Sequence, residues 1–231
     1  MTSASGSRGI APATQRLLVI FQKGEAARFL SHLDLIATLE YSIRRAGLPV
    51  ALSEGFNPRP RMSLAAPLPV GYTGEREILE LYLREARDPA VALRDLQGAL
   101  PAGLIVIAIE EIGLEGKSAG SRVKSATYRA RLPEPAVGLD RMVSELLACS
   151  AIDVEDEREG AVRRRNIRPM IISVEILDPR SLRLTVSQTG QGTVRPELII
   201  RQMGLATEGV RIVRERLEVA EQSDGDGAEG V

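Results

Sequence analysis

The sequence predicts an α+β chain of two tandem ferredoxin-like units, each with the order β-α-β-β-α-β. Three observations lead there. Strand and helix signals follow that order across the first half. The same order recurs after residue 123. Both halves also carry a short echo, Asn57-Pro58-Arg59-Pro60 and Asn166-Ile167-Arg168-Pro169, between the unit's first helix and second strand.

Taken in order, residues 17–22 form a short apolar run of strand length. Ser31-His32-Leu33-Asp34 then reads as a capping box, with Ser31 as N-cap and Asp34 at the third helical position. Leu35, Ile36, Leu39, Ile43 and Ala46 fall on one face, Arg44 and Arg45 suit the negative end of the helix dipole, and Gly47 with Pro49 stops the chain. A helix over 32–46 follows. Prolines 58 and 60 forbid helix and give a stiff loop over 53–61. Residues 62–68 read as a strand. Residues 77–83 alternate with Leu79, Leu81 and Leu83 on one face, and Gly71 to Gly74 make the turn between them. Asp88-Pro89 opens a second helix that closes at Gly98 and Pro101, and 104–112 is the most apolar strand.

The second unit repeats this plan. Residues 124–131 alternate as a strand, and 139–149 form a helix with Leu139, Met142, Val143 and Leu146 inward and Cys149 at the end of its core face. A short strand at 152–154 precedes a basic loop. Strands at 170–177 and 182–187 flank the turn Asp178-Pro179-Arg180-Ser181, a short helix covers 196–203, and 210–219 is the last strand. The expected organisation is a disordered segment over 1–15, units at 16–114 and 124–220 joined by a Gly/Ser-rich linker at 115–123, and a disordered acidic tail at 221–231.

Composition narrows the function. The 231 residues carry a net charge of −1 and 44% hydrophobic residues, an ordinary globular balance. No apolar run approaches the ~20 residues needed to span a bilayer, and the first residues lack a secretory h-region, so a cytoplasmic protein without membrane partners is expected. One cysteine, Cys149, and one histidine, His32, exclude a disulfide framework and a Cys- or His-built metal site, and no cofactor is expected. There is no phosphate-binding glycine loop and no nucleophile elbow.

What remains is cationic. The loop at 54–61 offers Phe56 as a stacking face, Asn57 as an amide, and Arg59 and Arg61 as guanidinium forks, stiffened by proline. Arg163, Arg164, Arg165 and Arg168 form a second basic run. With aromatic residues at only 3%, phosphate contact would dominate binding. The expectation is RNA as partner, gripped by both loops on one continuous surface, with Lys23 and Arg28 as further RNA contacts. A second reading is a metal-independent RNA endonuclease, with His32 as general acid or base and Lys23 or Arg28 stabilising the phosphorane. A third is a protein-interaction scaffold using a sheet edge and the acidic tail.

Lys23-Gly24, Arg28-Phe29-Leu30-Ser31-His32-Leu33-Asp34-Leu35, Arg44-Arg45-Ala46-Gly47-Leu48-Pro49, Ser53-Glu54-Gly55-Phe56-Asn57-Pro58-Arg59-Pro60 and Pro67-Leu68-Pro69-Val70-Gly71 together resemble the radical-SAM-linked family of uncharacterised bacterial proteins. The resemblance is densest over 16–112. Members occur alone or as the C-terminal part of B12-dependent-type radical SAM proteins, often with genes beside an E/G-type ribonuclease. The resemblance implies a radical SAM protein or such a ribonuclease as partner, and no reaction of its own. Because the chain lacks the radical SAM cysteine motif, it would be the stand-alone accessory part.

Overall fold

The structure is a computed structural model, and it describes residues 11–54, 56–158, 161–188 and 192–221. It is a mixed α/β protein with one large mixed sheet and few helices. The strands are β1 (Gln15–Lys23), β2 (Met62–Leu64), β3 (Thr73–Leu83), β4 (Leu104–Ile112), β5 (Val123–Arg131), β6 (Asp153–Arg158), β7 (Ala161–Asn166), β8 (Ile171–Asp178), β9 (Ser181–Ser187) and β10 (Arg211–Val219). The helices are α1 (His32–Arg45), α2 (Pro89–Ala99), α3 (Ala119–Arg122), α4 (Leu139–Ala148) and α5 (Pro196–Gln202).

Eight strands make the main sheet in the order β4-β1-β3-β10-β5-β9-β8, with β2 on β3 as well. Within each half all neighbours are antiparallel: β4-β1-β3-β2 in the first, β10-β5-β9-β8 in the second. The halves join through a short parallel contact between β3 and β10, Thr73 opposite Val213 and Gly74 opposite Arg214. β2 covers β3 from Leu79 to Leu81, and β10 meets it at Thr73–Gly74. The brevity of β2 is what leaves room for β10.

That junction leaves a notch where the chain departs from β2, and a buried ion pair fills it. Arg214 donates from Nη1 to the Pro67 carbonyl and from Nη2 to the Ala66 carbonyl, both at 3.0 Å, and grips Glu77 with Nε at 2.9 Å and with Nη2. Gly74 makes this possible: a Cβ there would lie 2.2 Å from Glu77 Oε1. A second buried pair, Arg16 with Glu80 at 2.8 Å, organises the other end of β3. Arg16 also donates to the carbonyls of Gly113, Glu115 and Lys117, while Glu80 accepts the Ala119 backbone N–H at 2.6 Å.

Two apolar cores follow. Leu17, Val19 and Phe21 of β1 with Leu79, Leu81 and Leu83 of β3 pack against Leu35, Leu39 and Ile43 of α1 and Leu96 of α2. The second core gathers β5, β8, β9 and β10 with α4 and α5, and reaches across to Ala65, Leu68 and Tyr72 of the first half.

The local readings at α1 are met in detail. Ser31 Oγ accepts the Asp34 N–H at 3.1 Å, and Asp34 Oδ2 accepts the Ser31 N–H in return. Pro89 follows an Asp88 cap that accepts from Ala90 and Val91. Several expectations are corrected. The linker at 115–123 is held down by Arg16 and Glu80, contains α3, and runs straight into β5. The strand foreseen over 62–68 stops at Leu64, because Ala65, Ala66 and Leu68 turn into the second core. Gln15 already belongs to β1, so the disorder expected over 1–15 does not reach it; residues 1–10 and 222–231 lie outside the described residues. Cys149 is exposed rather than core, because the backbone turns extended there at the end of α4.

The largest correction concerns the basic run. It is a strand, not a loop. β7 pairs antiparallel with the acidic β6, setting Arg165 opposite Val154, Arg164 opposite Glu155 and Arg163 opposite Asp156. Opposite charges facing across a hairpin stabilise the pairing. Residues 153–166 hold five acids and four arginines, so the segment as a whole carries −1.

Candidate functional site

The cations foreseen as one surface fall into three groups. At the β2 end of β3, Phe56 is fully exposed, and Asn57, Arg59 and Arg61 are exposed as well. The loop is braced from within: the Ser53 N–H donates to the Arg59 carbonyl at 2.8 Å, and Ser53 Oγ accepts the Arg59 N–H at 3.0 Å. The Arg61 backbone bonds both Ala51 and Tyr82, and its guanidinium lies 4.3 Å from the Tyr82 ring centroid. Tyr82 itself donates to Glu80 at 2.7 Å, and burial with that bond raises its pKa. The Arg59 guanidinium has no partner among the described residues.

At the opposite end of β3 stand Lys23, Arg28 and His32. Lys23 is fully buried and its Nζ donates to the carbonyls of Arg28 at 3.2 Å and Leu30 at 3.1 Å. Burial lowers its pKa and Glu77 partly offsets that. Lys23 therefore holds the turn before α1 and is not presented to a phosphate, which corrects its expected role in binding or cleavage. Arg28 lies over the ring of the exposed Phe29, 4.4 Å from its centroid, and pairs with Glu25 at 3.1 Å.

The third group is the β6–β7 hairpin. Arg164 pairs with Asp153 at 3.0 Å. Arg165 donates to the Thr193 carbonyl at 3.0 Å. Arg168 is spent on the carbonyls of Ile171 at 3.1 Å and Leu147 at 3.0 Å. These arginines tie the hairpin and the segment before α5 to the core; Arg163 is placed here by its backbone, opposite Asp156.

One continuous basic surface does not form. Tyr72 and Tyr82 are separated by the length of β3, roughly 30 Å at ~3.3 Å per residue. Arg61 is bonded at the Tyr82 end, while Arg165 meets Thr193, which shares a cavity with Tyr72. That separation exceeds the Debye length of ~10 Å at moderate salt.

What the sequence reading missed lies at the Tyr72 end. A cavity of about 400 Å³ opens between the halves. Its walls come from the start of α1 (His32), the chain between β2 and β3 (Pro67 to Val70, and Tyr72), Tyr128 of β5, Gln188 after β9, and Thr193 to Pro196 at the start of α5. His32 Nδ1, Gln188 Oε1 and Thr193 Oγ1 are buried without a hydrogen-bond partner among the described residues. Tyr72 and Tyr128 meet edge to face at 6.2 Å, and Tyr72 donates to Glu197. Burial foremost, then Glu197, pushes the Tyr72 phenol well above its ordinary pKa. The available signal was the Gln/Thr/Gly-rich run at 188–193 between a strand and a helix. Among the described residues, no three His, Cys, Asp or Glu side chains gather as metal ligands, and no helix is long and apolar enough to cross a membrane.

Fold and site thus define a mixed α/β protein with an eight-stranded sheet and a polar-lined cavity where its halves meet. The chain belongs to the family described as "Uncharacterized protein conserved in bacteria (DUF2344)", whose profile matches residues 16–196. No curated protein matches it. Among solved structures it is similar to a chain in "Crystal Structure of a Cbf5-Nop10-Gar1 Complex", at 14% identity and TM-score 0.45, covering 87% of this chain and 48% of that one. It is also similar to "Crystal Structure of an Unknown Protein from Galdieria sulphuraria", at 15% identity and TM-score 0.26, covering 89% of this chain and 99% of that one. The chain spans about half the length of the first of these.

Proposed function

We propose that this protein is a cytoplasmic, non-catalytic RNA-binding module that acts beside an RNA-modifying or RNA-processing enzyme, a radical SAM protein or an E/G-type ribonuclease. In this reading it is built of two ferredoxin-like units, 16–114 and 124–220, and the strand order within each half supports that division. The RNA contact is the loop at 54–61. The observation that carries it is the fully exposed Phe56, which no core packing explains, on a proline-stiffened loop beside Arg59 and Arg61. An unstacked base lies on Phe56, and the two guanidinium groups take adjacent phosphates. Arg61, laid on Tyr82, is preoriented and loses little side-chain freedom on binding. Arg164, Arg165 and Arg168 are occupied by Asp153 and by backbone carbonyls and contribute little.

The test is fluorescence anisotropy with short single-stranded RNA across a salt series. Two phosphate contacts give a log–log slope of about −1.4, at ~0.7 per contact. Phe56→Ala removes one stacked base and weakens binding by about 1–3 kcal/mol, without a change in thermal stability. No binding at low salt, or equal affinity for wild type and Phe56→Ala, overturns the proposal.

A further inference from the structure

We infer that the outer face of α1, with the groove beside it, is a self-association surface whose occupant is α1 of a second copy of this chain, running antiparallel. α1 carries two apolar stripes. Leu35, Leu39 and Ile43 are buried in the core. Leu33, Ala37 and Tyr41 recur at i, i+4 and i+8, offset from the first stripe by two residues and so on the opposite side. They are exposed, Leu33 at 75% and Tyr41 at 64%. A surface helix of a single copy uses one such stripe. Beside the outer stripe lies a groove of about 650 Å³, between α1 on one bank and, on the other, Ala26 with Ala27 and the chain at 99–102 where α2 gives way to β4. Alanines dominate its lining, which leaves room for a large side chain. Its hydroxyls ask for no partner: Thr38 donates to the Asp34 carbonyl at 2.7 Å and Ser42 to the Thr38 carbonyl at 2.8 Å. Arg45 is the one charge in the lining, and it donates to the Gly98 carbonyl at 3.3 Å.

The occupant follows from self-complementarity. A large ring at Tyr41 and a small residue at Ala37 stand one turn apart on the same face, the arrangement a two-fold axis requires. With the axis between them, Tyr41 of each copy packs on Ala37 and the groove of the other. The charges agree with this register. Asp34 and Arg45 are eleven residues apart, three turns of helix, so they share the flank that carries the groove. Antiparallel pairing brings each Asp34 level with Arg45 of the second copy, giving two ion pairs. Asp34 accepts through Oδ2 within its capping box, which leaves Oδ1 for that contact. Leu33 and Arg44, also eleven residues apart, meet in the same way on the other flank, side chain against aliphatic stem. The contact is one helix pair, smaller than the ~1,600 Å² of a standard interface, so the dimer is weak.

Nothing in this surface depends on RNA or on the loop at 54–61, and Phe56→Ala leaves the association unchanged. The test is sedimentation equilibrium of the full chain from about 1 to 500 µM, with thermal unfolding in parallel. A reversible monomer–dimer equilibrium with a Kd of roughly 10–100 µM is expected. Tyr41→Ala removes the ring that fills the groove and weakens the dimer roughly tenfold or more, with little change in melting temperature because the side chain is exposed. Arg45→Glu sets two acids against each other and weakens it by a similar factor. Adding Asp34→Lys to that variant restores an opposite-charge pair and recovers the dimer, which a loss of folding would not allow. A chain that stays monomeric at the highest concentration overturns the inference and leaves this face to a different partner. A dimer that Tyr41→Ala leaves intact forms through another surface and overturns it too, as does an Arg45→Glu defect that Asp34→Lys fails to rescue.

Discussion

Glu77→Gln tests what holds the two halves together. The β3–β10 contact spans only Thr73–Val213 and Gly74–Arg214, so the Arg214–Glu77 pair carries much of the junction. Both side chains are buried, at 0% and 2% exposure. Glutamine keeps the volume and one acceptor but removes the charge. Arg214 retains the Ala66 and Pro67 carbonyls, yet its guanidinium becomes a buried, uncompensated cation. Lys23, also buried, loses the carboxylate that offsets its desolvation. Breaking a buried pair from one side costs about 3–5 kcal/mol. Because one hydrogen bond survives, about 3 kcal/mol is expected here, a large share of the ~5–15 kcal/mol that holds a typical domain. The assay is equilibrium urea unfolding followed by circular dichroism at pH 7. A second arm at pH 10 checks the route. In the variant Lys23 has a further lowered pKa, so the folded chain binds fewer protons than the unfolded one between that value and 10.5. Stability of the variant therefore rises with pH across that window, and its deficit against wild type narrows. A loss below ~1 kcal/mol at pH 7 would refute the claim that this pair secures the junction.

Three further outcomes follow from the same structure. Arg16→Met frees the carbonyls of Gly113, Glu115 and Lys117 and strands Glu80, so limited proteolysis should cut within 113–118, where wild type resists. Ser31→Ala removes the cap on α1 and should cost about 1 kcal/mol in urea unfolding, with RNA binding through the 54–61 loop unchanged. Tyr72, Tyr82 and Tyr128 all have raised pKa values, chiefly from burial; their stabilisation is complete below pH 10 and is lost as pH climbs through the folded values. Lys23 acts in the opposite direction only up to its unfolded value of 10.5, so wild-type stability falls above that pH, and Tyr72→Phe flattens the fall.

What the sequence determined by itself was local. The capping box at Ser31, the Asp88-Pro89 helix start, the leucine alternation of β3 and the span of β4 all depend on neighbours a few residues away, and all were legible. The prominence of the 54–61 loop was legible for the same reason: prolines set its backbone without help from the rest of the chain. Long-range pairing decided the rest. Five arginines within eleven residues, 158 to 168, look like a binding patch until the acidic strand folds against β7 and core carbonyls take Arg165 and Arg168. Lys23 looks like a surface cation until β1 is placed inside the sheet, between β3 and the edge strand β4. Arg16, Glu77, Glu80 and Arg214 were invisible as two pairs, because each is an ordinary charge in an alternating strand and only long-range pairing onto β3 buries them, one pair toward each end. The cavity has the same origin. His32, Tyr72, Tyr128 and the pair Gln188 and Thr193 come from four separate stretches of chain, and a void between packed halves is a property of how they meet, which no local pattern encodes.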